Sequence, residues 1–124
     1  RFEAMLEDQA TIAKAIDQIG DLAGKSEDPQ AANQLVRWVT TKEAHATNTQ
    51  HIIAQNFMTQ RIKPGTDEAS QRAYVKKLTA AHAVMQAAMK AKQDPSAEVA
   101  EALKKSIFDF YRAYEGKEPD FHNH

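Results

Sequence analysis

Glycine and proline fall at a few punctuation points in this chain, and the long segments between them carry apolar residues at helical spacing with few β-branched runs. That pattern leaves little room for a sheet and predicts an all-α domain. The first segment, Phe2 to Ala23, sets Phe2, Met5, Leu6, Ile12, Ile16, Ile19 and Leu22 or Ala23 on one face, with Gly24 just past its end. The second opens at Ser26-Glu27-Asp28-Pro29. There Asp28 caps, and Pro29 fits the first turn because the amide it lacks would be unpaired there anyway. This helix is expected to reach about Arg61 and to stop at Lys63-Pro64-Gly65. A third follows Thr66-Asp67, with Tyr74, Val75, Leu78, His82, Met85 and Met89 as its apolar face. Asp94-Pro95 repeats the cap-plus-proline signal before a fourth, which carries Val99, Leu103, Ile107, Phe110 and Tyr114 and ends at Gly116. Short connections turn each helix back on the last, so the expectation is an antiparallel up-and-down four-helix bundle over residues 1–116, followed by a polar, flexible tail over 117–124.

One stretch does not fit a plain bundle. Thr40 to His51 is a polar run inside the second helix, flanked by Leu35, Val36 and Val39 before it and Ile52, Ile53 and Phe57 after it. Carrying the apolar stripe through the gap would bury Lys42 or Glu43, Ala46, and Thr49 or Gln50. The helix either turns its middle to water or holds a polar network inside the protein.

Composition removes several classes of function. At 124 residues the chain fits one domain with a substantial core. Its formal net charge is −1, with acids and bases interspersed and no basic stripe interleaved with aromatics, which argues against nucleic acid as a partner. No apolar run approaches the roughly 20 residues that span a bilayer, so the expectation is a soluble, cytoplasmic domain without a membrane partner. The absence of cysteine excludes disulfides, thiol nucleophiles and metal–thiolate sites within these residues.

Helix bundles often hold metals through Glu-x-x-His pairs, and none is present. The histidines stand at 45, 51, 82, 122 and 124, and within the four predicted helices none has helical chelate spacing to another histidine or a glutamate. His82 lies in the apolar stripe of the third helix and reads as a hydrogen-bonded core or interface residue. His122 and His124 form a His-x-His tail that is a weak candidate for a divalent metal. Glu3 on its own is a first-turn acid favoured by the helix dipole.

Taken together, Arg1-Phe2-Glu3 at the start of the first helix, Glu27-Asp28-Pro29, Lys42-Glu43-Ala44-His45-Ala46, Lys63-Pro64, Asp94-Pro95 and the aromatic-rich last helix resemble the nickel-dependent superoxide dismutases. The resemblance runs from Arg1 to about Tyr114 and rests on the order and spacing of these markers. It implies a four-helix bundle assembled as a homohexamer, superoxide as substrate, and a nickel ion held by an N-terminal hook of the form H-C-x-x-P-C-G-x-Y. In that hook the terminal amine, a backbone amide and two thiolates hold nickel in a plane with an axial imidazole, and the thiolate and amide donors lower its potential enough for superoxide to reduce and oxidise it in turn. The hook is not among these residues and is expected upstream of Arg1. Carried over by position, Glu3 matches the carboxylate that hydrogen-bonds the axial imidazole. His45 falls where many members place an arginine supporting that carboxylate, and Arg61 where some carry a tyrosine near the site. The alternative is a non-catalytic helical oligomer or metal-handling protein related to that family.

Overall fold

The computed structural model describes residues 1–25 and 27–120. It contains α1 (Phe2–Ala23), α2 (Pro29–His51), a π-helical segment (Ile52–Met58) that continues α2, α3 (Glu68–Gln93) and α4 (Ala97–Glu115). Contacts between neighbours run in opposite directions. Asp8 meets His45 while the Lys14 ammonium lies 5.8 Å from the centre of the Trp38 ring. Gln50 and Lys42 of α2 donate to the carbonyls of Met85 and Lys92 in α3. Gln9 of α1 reaches the Ala100 carbonyl of α4, seven residues from the Phe2–Tyr111 contact on α1 and eleven on α4. Each helix therefore lies antiparallel to the next in a four-helix bundle.

The helix starts follow their local chemistry unevenly. Asp28 accepts from the Gln30 amide with Pro29 in the first turn of α2, and Asp67 forms a reciprocal capping box with Ser70 at the start of α3. Asp94 does not cap α4 as the Asp-Pro signal suggested. Placed before Pro95 it is forced into extended backbone (φ −140°, ψ 123°), where it ends α3 and accepts from the Ser96 amide at 3.0 Å, so α4 begins at Ala97. Gly116 closes α4 in the left-handed conformation at φ 73°.

The second apolar run changes helical pitch. Thr59 N–H bonds to the Ala54 carbonyl and Ile62 N–H to that of Phe57, both five residues back. The wider turns keep Thr49, Ile53, Phe57 and Ile62 all buried, although a regular helix would rotate the last of these away. Phe57 thereby enters an aromatic cluster at one end of the bundle, 5.0 Å from Phe2, 4.9 Å from Phe110 and 5.1 Å from Tyr114 between ring centres.

The apolar face expected for α3 is rotated. Ala81, Val84, Ala88 and Ala91 are buried there, while Val75, His82 and Met89 are exposed. His82 is thus not a core residue of the single chain. Alanines let α3 approach its neighbours closely, and a reading weighted toward the largest apolar residues follows the wrong edge of the helix.

Candidate functional site

One face of the polar run of α2, with Lys42, Ala46 and Thr49, is held inside the protein, and a carboxylate on α1 lies at its centre. Asp8 is only 5% exposed. Its Oδ1 accepts from His45 Nδ1 at 2.8 Å, and its Oδ2 accepts from Asn48 Nδ2 at 2.9 Å and Thr49 Oγ1 at 3.1 Å. A helix can aim all three donors at one point because 45, 48 and 49 are three and four residues apart and share a face. A carboxylate only accepts, so Nδ1 is the donor and the imidazole is fixed with its Nε2 directed away from Asp8. The His45 side chain is 39% exposed, whereas Thr49 is fully buried.

The opposite flank of the run ties α2 to α3. Lys42 is buried, and its ammonium donates at 3.0 Å to the Lys92 carbonyl in the last turn of α3. Burial pushes this ammonium below its ordinary pKa of 10.5, and the charges of Glu43 and Asp94 partly restore it. Among the described residues, no buried side-chain nitrogen or oxygen lacks a hydrogen-bond partner.

Of the candidate site residues Glu3, His45 and Arg61, only His45 belongs to this cluster. Its carboxylate partner is Asp8, not Glu3, which stands exposed in the first turn of α1. Arg61 is exposed in the turn after the π-helical segment, donates to the Asn56 carbonyl, and lines a cleft of about 280 Å³ with Lys63, Tyr74 and Lys77. That cleft is basic, but the Thr66 and Asp67 amides beside it are already bonded to Ser70 Oγ. A cleft of about 520 Å³ between α3 and α4 mixes Lys90 with Asp94 and Glu98 and contains no candidate catalytic set. His122 and His124 lie outside the described residues. Asp8 escaped the sequence reading because Glu7-Asp8-Gln9 looks like a solvated stretch. The available signal was its place in the series Met5, Asp8, Ile12, a polar residue on the buried stripe of α1 to match the polar run on α2.

A nickel–thiolate centre does not fit these residues. The chain has no cysteine, and among the described residues no three His, Cys, Asp or Glu side chains are grouped to hold a metal ion. What residues 1–120 supply is a scaffold: an antiparallel four-helix bundle with a buried carboxylate–imidazole pair between its first two helices. The chain belongs to the nickel-containing superoxide dismutase family, whose family model matches residues 1–118. No match was found among curated proteins or solved structures. No helix among the described residues is long and apolar enough to cross a membrane.

Proposed function

We propose that this chain is the helical body of a nickel superoxide dismutase, an oxidoreductase that converts two superoxide radicals and two protons to oxygen and hydrogen peroxide. The observation that carries the reading is the family match over residues 1–118, nearly the whole chain. The metal is bound by a hook upstream of Arg1, and the bundle assembles as a homohexamer. Arg1 is exposed, whereas Phe2 beside it is anchored among Phe57, Phe110 and Tyr111. A segment joined to Arg1 would leave from a fixed point without disturbing the core. Glu3, His45 and Arg61 are the residues of the bundle that support the hook, with Asp8 as the carboxylate that orients His45.

The test is metal analysis and a dismutase assay on the chain carrying an H-C-x-x-P-C-G-x-Y segment at its N-terminus. About one nickel per chain with activity is expected, against neither for residues 1–124 alone. Absence of nickel from the hook-bearing protein would sink the reading. The lack of cysteine, and of a grouped donor set among the described residues, favours one second reading, a non-catalytic oligomer or metal-handling relative that uses His122 and His124. Under it, removing residues 121–124 abolishes metal binding; under the first, nickel binding survives that deletion.

A further inference from the structure

All three large apolar side chains that stand exposed among the described residues, Val36, Val75 and Met89, lie on the outer flank shared by α2 and α3. On α3, Val75, His82 and Met89 recur every seven residues, with half-buried Leu78 and Met85 between them. This is the a/d spacing of a helix that packs against another helix, and it lies beside, not on, the stripe that faces the core. The flank is placed by Gln50 and Lys42 of α2, which reach α3 at Met85 and Lys92. Thr79 and Gln86 next to the seam are uncharged, in a chain whose residues are 27% charged overall. Depletion of charge around an apolar stripe marks a surface that meets protein.

We propose that this flank is where a second copy of the chain docks, α3 against α3 and antiparallel, about a two-fold axis at His82. The seam is self-complementary about that residue, because the operation that places His82 on His82 brings Val75 onto Met89 and Leu78 beside Met85. The same operation carries Glu43, the acid on the α2 side of the flank, to the level of the copy's Arg61 and Lys63. Acid and base thereby stand at the same level along the bundle on both sides of the axis. This gives the self-association of the proposed function a specific surface and rests on that part of the reading.

Sedimentation velocity of residues 1–124 across a range of concentrations tests it, with Val75→Asp, Met89→Asp and His82→Leu compared with Glu101→Lys on α4. Both aspartate variants should keep the wild-type helical content and melting behaviour, since they replace exposed side chains, yet weaken self-association by about 100-fold or more because a buried charge is left unpaired. His82→Leu should tighten it, and Glu101→Lys should leave it unchanged. Assembly by the two aspartate variants at wild-type strength would overturn this surface and leave an oligomer built on another face. A wild-type chain that stays monomeric would overturn both this inference and the proposed hexamer. Neither result bears on nickel binding by the hook-bearing protein, which is read separately by metal content.

Discussion

Two regions hold α1 in place, and they do so by opposite means. At the N-terminal end Phe2 is wedged among Phe57, Phe110, Tyr111 and Tyr114, with ring centres 4.9 to 5.9 Å apart. Two turns further on, Asp8 holds the same helix through three directed hydrogen bonds, all from one face of α2. The aromatic end is redundant, because Phe2, Phe57, Phe110 and Tyr114 each touch the other three and small shifts cost little. The Asp8 cluster has one acceptor group at its centre, and moving it strands every donor at once. Apolar packing therefore supplies most of the stability, while the polar cluster specifies which part of α2 lies beside α1.

The strongest way to break the comparison is to empty the aromatic end. Phe57→Ala should lower the free energy of unfolding by about 3–5 kcal/mol, because the ring is buried and its neighbours are too large to close over the gap. Urea denaturation followed by circular dichroism measures it, and a loss below about 1 kcal/mol would show that the rings are not a packed unit. Asp8→Ala should cost less, about 1–3 kcal/mol, since it orphans one fully buried donor, Thr49, but removes little volume. Its sharper test is a pair of double-mutant cycles. Coupling of Asp8 to fully buried Thr49 should exceed coupling to His45, which is 39% exposed and partly screened by water. The reverse order would mean that the imidazole–carboxylate hydrogen bond, not the buried hydroxyl, dominates the cluster.

The bundle was legible because its information is local. Periodicity, the Asp-Pro and Lys-Pro-Gly breaks and the closing Gly116 each act within a few residues, and α1, the start of α2 and the apolar face of α4 come out where those signals put them. The polar run was also legible as an alternative between solvent and a buried network, and burial of Lys42, Ala46 and Thr49 decides for the network. What stayed hidden depends on two helices at once. That His45 pairs with Asp8 instead of Glu3 follows from the register between α1 and α2, which no single helix encodes. The rotated face of α3 was lost for a related reason: alanine is buried there by close approach, and nothing in its size announces that. The π-helical turns at Ile52–Met58 have no sequence signature, and they appear only when Phe57 has to reach Phe2.

The smallest expected effect concerns the other side of the polar run and is read from its pH dependence. Lys42 is buried with its ammonium on the Lys92 carbonyl, and its pKa is held below the ordinary 10.5 mainly by loss of hydration. Between the lowered value and 10.5 the unfolded chain binds more protons at this position than the folded one. Stability from this residue must therefore rise with pH through that window. In the neutral range the folded protein carries the cost of a buried charge, offset by the hydrogen bond to Lys92 and by Glu43 and Asp94. Lys42→Met removes both the cost and the bond. It should change stability at pH 7 by no more than about 1–2 kcal/mol in either direction, because the two terms oppose each other. Its clearer signature is the slope: the wild type should gain stability relative to Lys42→Met as pH rises toward 10.5. Parallel denaturation series of the two proteins from pH 7 upward measure that difference. A difference that stays flat, or one in which the wild type loses ground with pH, would mean that Lys42 is hydrated in solution and that α3 is not anchored to α2 through it.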